Sequence, residues 1–411
     1  MASSPLPLPD LSAPAHALER LPEEWAALLE SWGEPRFRGR QVFQWIHQRG
    51  VFDPASMTSL PKTLRARLEA ELADELAYPF TVHRRGRAPD RTQKLLLRVS
   101  GERDIETVLI PQNDGSVDPD VDTSDQEADR ESGITSPVTQ CISSQIGCAM
   151  GCVFCASGVA GLQRQLSAAE IVGQVLLGRQ LLREDDEGDR LRNVVLMGMG
   201  EPLHNYDAVA RALVLMTHPD GLGLSTRRVT LSTSGLVPQI DRLGRDFDGR
   251  IQLAISLHAT SDERRSAIMP INRKYPLREL MACLRRYPLP KRRRITLEYT
   301  LIAGVNDALD EADALAALVR GVPVKVNLIP MNPIAESDLG APDASGVARF
   351  RARLMKQGLT ATVRRQRGDD IDAACGQLAL YGPEGERTPR KRRLPLTAPS
   401  PPAAADVAPG S

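Results

Sequence analysis

The sequence contains few cysteines, six among 411 residues, and its formal net charge at neutral pH is zero. It also lacks any apolar stretch near the roughly 18 residues that a membrane-spanning helix needs. Its start, from Met1 to Leu18, is broken by prolines and has neither the basic region nor the apolar run of a secretory signal peptide. Few cysteines and no export signal exclude a secreted disulfide scaffold and predict a cytoplasmic protein.

Zero net charge hides an uneven distribution of charged residues. Eight acidic residues and one arginine lie between Asp114 and Glu131, whereas residues 291–294 and 390–393 are basic blocks. Nucleic-acid binding depends on local basic patches and not on total charge. Each block is therefore open to two interpretations, a contact with a polyanion or a solvated surface.

Changes in composition and in apolar spacing divide the chain into five segments. The helical segment carries basic residues around 36–41, which suit either an RNA clamp or a solvated face. The predicted segments are a disordered N-terminus (1–15), a helical accessory module (16–78), a strand pair followed by an acidic linker (79–137), an α/β core (138–365) and a C-terminal segment with a basic tail (366–411).

Within the core, short β-branched strands alternate with helices six times. This repetition predicts a parallel sheet, and six units fall short of a closed eight-stranded barrel, so we expect a partial, open one. Ser167 and Glu170 form a capping-box pattern at the start of the first helix. The predicted strands are residues 138–143, 193–197, 228–232, 251–257, 295–302 and 324–329.

Residues 148–155, Cys-Ala-Met-Gly-Cys-Val-Phe-Cys, place three thiols at C-x3-C-x2-C spacing. A structural zinc site needs four ligands, and no second cysteine or histidine pair follows at zinc-finger spacing. A [4Fe-4S] cluster is held by cysteine thiolates, and three of them leave one iron without a protein ligand. The spacing therefore predicts a cluster with one open, reactive iron.

Small, hydroxyl and amide residues follow the predicted strands at 198–202, 232–235 and 256–258, and at Asn327 and Asn332. Such residues are ordinary in turns when taken singly. Active sites of parallel sheets lie at the carboxyl ends of the strands. Recurrence at successive strand ends therefore predicts a cofactor site there.

These motifs resemble those of radical S-adenosylmethionine enzymes and, more narrowly, of the RNA adenine-C2 methyltransferases that modify 23S ribosomal RNA and, in some bacteria, transfer RNA. The likeness runs from about Leu18 to Leu378, with the acidic linker as its main departure. The resemblance implies a partial (β/α)6 radical-SAM barrel with a small N-terminal helical accessory domain. The strings that carry it are CISSQIGC (141–148), MGMGEPL (197–203), LSTSG (231–235), SLH (256–258), EY (298–299), NLIP (327–330) and RGDDIDAACGQ (367–377).

The resemblance also implies roles for individual residues. Cys375 matches the cysteine that becomes S-methylated, Cys141 its partner in a transient disulfide, and Glu106 the proton acceptor. The cluster ligands would be Cys148, Cys152 and Cys155. The residues that match S-adenosylmethionine contacts are Gly200, Glu201, Ser232, Ser256, Leu257, His258 and Asn332.

The chemistry explains why such an enzyme uses a radical. Carbon 2 of adenine lies between two electron-withdrawing nitrogens and cannot attack a sulfonium methyl group directly. In the mechanism that the resemblance implies, a methyl group on Cys375 loses a hydrogen atom to a cofactor-derived radical and adds to carbon 2. Proton loss and attack by Cys141 on the sulfur of Cys375 then release the product.

The implied partners are 23S rRNA, tRNA and an electron donor such as flavodoxin, with no membrane or DNA partner and a monomeric state. Three alternatives remain open at this stage. The first is an adenine-C8 methyltransferase that gives antibiotic resistance and shares the mechanism. The second is a radical-generating activase of a partner protein, which would need neither Cys141 nor Cys375. The third is an RNA-binding module with a structural cluster.

Overall fold

A computed structural model describes residues 9, 11–101, 103–112, 136–185, 189–334, 337–364, 368, 371, 373–374 and 376–378. Most of the predicted disordered N-terminus and of the acidic linker lies outside the described residues. Cys375 and the whole basic tail from residue 379 onward also lie outside the described residues.

The N-terminal part is helical, with α1 at Pro22–Ser31, α2 at Phe37–Phe43 and α3 at Lys62–Leu72. A π-helical turn, Gln44–Arg49, continues α2. A Cβ atom on Gly39 would lie 2.3 Å from the backbone nitrogen of Ala26, so α2 can cross α1 only at a glycine. The close crossing buries the large apolar side chains that the sequence places at helical spacing.

One ten-stranded sheet, in the order β1-β2-β3-β4-β7-β8-β9-β10-β11-β12, organises the rest of the described chain. Strands β1 to β4 pair antiparallel, whereas β4 and β7 to β12 pair in parallel. A separate antiparallel pair joins β5 and β6. The strands are β1 Phe80–Arg87, β2 Gln93–Val99, β3 Arg103–Pro111, β4 Ser136–Cys141, β5 Gln145–Ile146, β6 Arg164–Gln165, β7 Asp189–Leu196, β8 Val229–Thr233, β9 Gln252–Ser256, β10 Ile295–Leu301, β11 Val324–Pro330 and β12 Ala361–Val363.

Helices connect the parallel strands and cover the outside of the sheet. This arrangement confirms the partial (β/α)6 barrel, because apolar β-branched strands need helices on their outer face. The described helices are α4 Ala156–Ala160, α5 Ala168–Glu184, α6 Tyr206–Thr217, α7 Val237–Phe247, α8 Asp262–Ile268, α9 Leu277–Arg286, α10 Leu309–Leu318 and α11 Ala344–Lys356.

Local signals set the limits of several of these elements. The backbone nitrogen of Glu170 donates to the Ser167 hydroxyl at 3.1 Å, and the Glu170 carboxylate accepts from the Ser167 nitrogen at 2.8 Å. This capping box starts α5 where the sequence predicts. Among the residues that the structure describes, no helix has both the length and the apolar character needed to cross a bilayer.

Strand β1 has no counterpart among the sequence predictions. Most of its side chains are exposed, and it is an edge strand with a bulge between Val82 and Arg84. An exposed edge strand does not need apolar alternation, so its polar sequence gives no strand signal.

The basic block at residues 291–294 lies at the amino end of β10, and Arg294 donates to the Thr360 hydroxyl at 2.8 Å. The parallel barrel therefore places this block at the end opposite the strand termini that were predicted to carry the site. Of the two interpretations left open, the solvated surface suits this position better. Cys283 is fully buried, and its thiol donates to the Asp241 carboxylate at 3.4 Å, so it belongs to the core.

Candidate functional site

A pocket opens at the carboxyl ends of the parallel strands, as predicted for this sheet. Nine of the predicted site residues line it, drawn from the cysteine loop and from the carboxyl ends of β7, β8, β9 and β11. They are Cys148, Cys152, Cys155, Gly200, Glu201, Ser232, Ser256, His258 and Asn332. Leu257 is fully buried and does not line the pocket.

The cysteine loop runs from β5 to α4, and glycines determine its path. A Cβ atom on Gly147 would lie 1.9 Å from the carbonyl oxygen of Gly161, so only glycine fits there. The Val153 nitrogen donates to the carbonyl of Ile268 at 3.1 Å, which ties the loop to α8. The loop thus presents three thiols to one pocket on a fixed backbone.

The donor set fits an iron-sulfur cluster. Burial raises the pKa of the Cys148 and Cys152 thiols, so their thiolates need a cationic partner such as iron. Three thiols that line one pocket suit a cluster in which each binds a different iron.

The loop after β7 is equally constrained. Gly200 has φ of 107°, and a Cβ atom there would lie 2.6 Å from the Cβ atom of Gln145. The Glu201 carboxylate is 3 % exposed and accepts from the backbone nitrogens of Ser234, at 2.7 Å, and Leu203, at 3.1 Å. Burial raises its pKa, which these two donors oppose. Such a carboxylate, fixed at the pocket wall, suits the amine of an amino-acid moiety.

Arg265 holds the neighbouring strand ends together, and the sequence analysis missed it. Its side chain is 1 % exposed and donates to the backbone carbonyls of Ser234 (2.7 Å), Ser256 (3.0 Å) and Leu257 (3.0 Å). It also donates to the Asn272 side chain at 3.0 Å. Burial lowers its pKa to about 10, so it remains a cation at neutral pH. One guanidinium therefore fixes the loops after β8 and β9.

His258 sits in the left-handed region, at φ of 57°, which is rare for residues other than glycine. Its Nδ1 accepts a hydrogen bond from the Thr300 nitrogen at 2.9 Å, and its ring packs edge-on against Phe154. Burial and the charge of Arg265 lower its pKa to about 3. The imidazole is therefore neutral, with its remaining proton on Nε2.

Glu106 and Cys141 do not line the pocket itself but lie on the adjoining antiparallel strands. Val108 pairs with Cys141, and Cys141 pairs with Val195, so the three share the inner face of the sheet. Glu106 is two residues from Val108 and shares that face, which makes it a diagonal neighbour of Cys141 at about 7–8 Å. Glu106 is fully buried and Cys141 is 4 % exposed.

The C-terminal segment closes against the cysteine loop. Cys375 lies outside the described residues, but Gly376 lines the pocket. The carbonyl of Gly376 accepts from the Ala156 nitrogen at 2.8 Å, and the carbonyl of Leu378 accepts from the Ser157 hydroxyl at 2.6 Å. Gly376 and Leu378 are therefore fastened to the start of α4.

Two surfaces carry exposed basic residues. On one they stack on aromatic side chains, and on the other they lie along an edge strand. On the helical part, the guanidinium of Arg38 lies 4.7 Å from the ring centroid of Phe37, which is 56 % exposed. Arg67 stacks similarly on Trp32, at 4.6 Å. On the edge strand β1, Arg84 is exposed next to the bulge. Both surfaces suit contacts with a phosphate backbone and with unpaired bases.

Comparison with protein families gives two matches. Residues 142–316 match the model of the radical SAM superfamily. Residues 20–73 match the model described as the ribosomal RNA large subunit methyltransferase N-terminal domain. The first match covers the cysteine loop and most of the parallel strands, and the second covers the three N-terminal helices.

The chain is also similar to whole proteins. It is 59 % identical over 383 residues to the dual-specificity RNA methyltransferase RlmN of Sorangium cellulosum, covering 90 % of this chain and 97 % of that protein. It is 46 % identical to the RlmN of Marinobacter nauticus, over 89 % of this chain and 92 % of that protein. The solved structure of a radical SAM methyltransferase from Sphaerobacter thermophilus is 43 % identical, with a TM-score of 0.77, over 89 % of this chain and 99 % of that one.

Proposed function

The chain belongs to the RlmN family of dual-specificity RNA methyltransferases, and we propose that it methylates carbon 2 of a specific adenine in 23S ribosomal RNA and of an adenine in transfer RNA. It is a radical S-adenosylmethionine enzyme with a [4Fe-4S] cluster and S-adenosylmethionine as its cofactors. One observation carries the proposal for this chain's own residues. Three thiols and the Glu201 carboxylate line a single pocket, beside a sheet face that holds Glu106 and Cys141.

Cys148, Cys152 and Cys155 would hold the cluster, and their three thiolates leave one iron free for S-adenosylmethionine. When bound, the two cofactors supply radical chemistry that can remove a hydrogen atom from a methyl group. The protein's part is to fix them in place and to exclude water. Glycine at 200 lets the loop approach Gln145 closely, and Arg265 keeps the strand ends from moving apart.

S-adenosylmethionine would be held by residues from successive strand ends. Glu201 would accept hydrogen bonds from its amino group, and the neutral ring of His258 would donate from Nε2. The remaining contacts would come from hydroxyl, amide and backbone groups that line the pocket or adjoin it. They are Gly200, Ser232, Ser256, Leu257 and Asn332.

Cys375 would carry the methyl group, and carbon 2 of the target adenine would become bonded to the carbon on its sulfur. Glu106 then takes the proton from carbon 2. With that proton the adduct would give up one electron, for which the cluster would be the acceptor. The Cys141 thiolate would then attack the sulfur of Cys375 and break its bond to carbon; the electron pair of that bond stays on the carbon, which takes up a proton to become the methyl group, while the two sulfurs form a transient disulfide. The proposal is supported by the shared face of Glu106 and Cys141 and by the anchoring of Gly376 at the pocket.

The two basic surfaces would both contact the RNA. The arginine and aromatic pairs around Phe37 and Trp32 suit bases as well as phosphates, because unpaired bases stack on aromatic rings and guanidinium planes. Arg84 and its neighbours on β1 would contact phosphates, which position the RNA without specifying sequence.

Substrate and chemistry also suggest where the enzyme works. We place it in the cytoplasm, where ribosomal and transfer RNA occur and where a reducing environment keeps its thiols free. A small electron carrier such as flavodoxin would reduce the cluster, and the enzyme would act as a monomer on RNA. We propose no membrane or DNA partner.

The test is reconstitution with iron and sulfide without oxygen, followed by mass spectrometry of nucleosides from unmodified 23S RNA fragments and tRNA. Methylation at carbon 2 in both RNAs supports the proposal. Methylation at carbon 8, or formation of a glycyl radical on a protein with no modified RNA, contradicts it. Cys375→Ala should give no methylated adenine, and Cys141→Ala should leave RNA covalently attached to the enzyme.

A further inference from the structure

A buried ion pair adjoins the site on the antiparallel strands. The ammonium nitrogen of Lys94 lies 2.9 Å from Oε1 of Glu106. The Glu106 side chain is fully buried and that of Lys94 is 13 % exposed. Charged residues are rarely buried to this extent, because removing two charges from water is energetically unfavourable. A pair this costly, next to an active site, calls for an explanation beyond stability.

The register places the pair at the end of the sheet that faces the pocket. Lys94 pairs with Val108 across β2 and β3, and Val108 pairs with Cys141 across β3 and β4. Glu106, two residues before Val108 on β3, has its side chain on the same face of the sheet. Because β3 runs antiparallel to β4, Glu106 lies closer than Val108 to the pocket end of the sheet. Lys94, Glu106 and Cys141 therefore occupy one continuous patch of the inner face.

Hydrogen bonds link Glu106 to the cofactor loop as well. The Ser143 hydroxyl donates to the carbonyl oxygen of Glu106 at 2.6 Å. The same hydroxyl accepts from the Met199 nitrogen at 2.9 Å, within the loop that carries Gly200 and Glu201. The backbone of the proposed base is thus held against the loop that is proposed to bind S-adenosylmethionine.

A base can accept a proton only when it is ionised, and burial opposes ionisation. A carboxyl group that is fully buried without a charged partner stays protonated at neutral pH, because its charged form loses hydration. An ammonium within hydrogen-bonding distance reverses this preference. Lys94 places that positive charge beside Glu106, whose side chain is too buried for water to solvate its charged form.

We propose that Lys94 is a positioning residue that keeps the Glu106 carboxylate ionised and oriented to remove the proton from carbon 2 of adenine. This inference rests on the proposed function, which gives Glu106 the role of proton acceptor. Lys94 acts through Glu106 and does not itself react with RNA.

The same two strands provide a matched control. Arg98 on β2 donates through Nε to the Asp104 carboxylate on β3 at 2.5 Å, and Asp104 is fully buried in turn. Asp104 also contacts His83 at 2.9 Å. This second pair has similar burial and lies on the same face, two residues further from Cys141 along β3. Its loss should cost comparable stability without affecting proton removal.

The experiment compares Lys94→Met, Lys94→Arg, Arg98→Met and Glu106→Gln with the unchanged, reconstituted enzyme under single-turnover conditions. Three quantities are followed as a function of pH: cleavage of S-adenosylmethionine, covalent attachment of RNA to protein on denaturing gels, and release of methylated adenine. Lys94→Met should shift the acid limb of the release rate to higher pH by about one unit or more, and at pH values below that limb release should slow about tenfold for each unit of the shift. Cleavage should be unchanged and the covalent species should accumulate.

Lys94→Arg should restore most of the release rate, because it keeps a cation on the same strand. Arg98→Met should leave the pH profile unchanged, whatever it does to thermal stability. An unshifted profile in Lys94→Met, or an equal shift in Arg98→Met, would overturn the inference. If Glu106→Gln traps the RNA adduct but Lys94→Met does not, only the inference fails. Normal release by Glu106→Gln would refute both it and the proposed base.

A second measurement needs no cofactor. Infrared difference spectra of the cluster-free protein at pH 7 should show a protonated carboxyl band in Lys94→Met that is absent from the unchanged protein. The band should disappear in the double variant Lys94→Met/Glu106→Gln. Its absence from Lys94→Met would show that the carboxylate ionises without the lysine and would contradict the proposal.

Discussion

The parallel and antiparallel parts of the single large sheet differ in what they bring to the site. The parallel strands end in loops that line the pocket, with three thiols, Glu201 and the neutral His258 around it. The antiparallel strands contribute side chains from their faces, namely Glu106, Lys94 and exposed arginines on β1. The difference separates two tasks. In the proposed function, strand ends bind the cofactors, a strand face removes the proton, and β1 together with the helical part contacts RNA. Substitutions in the two parts should therefore impair different steps of the reaction.

The largest effect is expected on the parallel side. Cys152→Ala removes one of three thiolates and should abolish cluster binding, and with it all cleavage of S-adenosylmethionine. The measurement is the visible absorption of the reconstituted protein together with 5′-deoxyadenosine formation. Cys283→Ala serves as the control, because that thiol is buried between α7 and α9, away from the pocket. Retention of the cluster by Cys152→Ala would contradict the ligand assignment.

A smaller loss should follow from Arg265→Met. It removes the hydrogen bonds of the guanidinium to three backbone carbonyls and to the Asn272 amide oxygen. The Leu257 carbonyl keeps the Ala259 nitrogen as a second donor, whereas buried groups left unsatisfied cost about 1–3 kcal/mol each. We expect lower stability in denaturant titrations and at least a tenfold weaker affinity for S-adenosylmethionine in calorimetry, with little change in RNA affinity. The adjacent Arg264 forms a partly exposed ion pair with Glu311, so Arg264→Met is the control. Equal effects in both variants would show that Arg265 has no special role in the strand ends.

On the antiparallel side, Arg84→Ser should weaken RNA binding a few-fold without changing cofactor cleavage. If Arg84 contacts one phosphate, the slope of log affinity against log salt should fall by about 0.7 to 1. Arg320→Ser is the control, since that exposed arginine lies beyond α10 at the opposite end of the barrel. A loss of cofactor cleavage in Arg84→Ser would break the division between strand ends and strand faces.

The smallest effect concerns a buried histidine of the helical part, which lies away from the pocket and from the exposed arginine and aromatic pairs. His47 is fully buried and stacks on Phe43, and burial, together with Arg179, lowers its pKa to about 3. Between pH 6.5 and 3 the unfolded chain therefore binds a proton at His47 more readily than the folded chain does. The contribution of the neutral imidazole to the free energy of unfolding is complete above pH 6.5 and is lost as the pH falls toward 3. Between pH 6.5 and 5 this amounts to about 2 kcal/mol.

His47→Leu should flatten that part of the curve of unfolding free energy against pH in cluster-free protein. The exposed His204 provides the comparison, as a His204→Gln variant that removes an imidazole outside the helical part. A slope that persists in His47→Leu would assign the acid sensitivity to other groups, among them His258.

The sequence predicts the parallel side well and the antiparallel side poorly, for a physical reason. Buried parallel strands need continuous β-branched residues and helices between them, and both leave a pattern in the chain. The edge strand β1 faces solvent and needs no such pattern. The short helix α8 begins with four charged residues and was missed as well. Both elements carry residues important to the site.

The same contrast holds for individual side chains. The three cysteines reveal themselves by spacing, because one loop holds them all. Lys94 and Glu106 are twelve residues apart along the chain, and only the register of β2 against β3 brings them together. Arg265 acts on carbonyl groups, which every residue has, so no partner residue in the sequence could identify it. A lysine within an apolar strand was the one signal available for Lys94.

The fastening of the last described residues to α4 has a practical consequence. Gly376 and Leu378 bond to Ala156 and Ser157, directly after the third cysteine of the loop. Damage by oxygen that distorts this loop would also loosen the bonds that hold Gly376 and Leu378. Cleavage within residues 376–378 by an added endoprotease should therefore rise as iron is stripped from a preparation, which makes proteolysis a simple gauge of how much of a sample is intact.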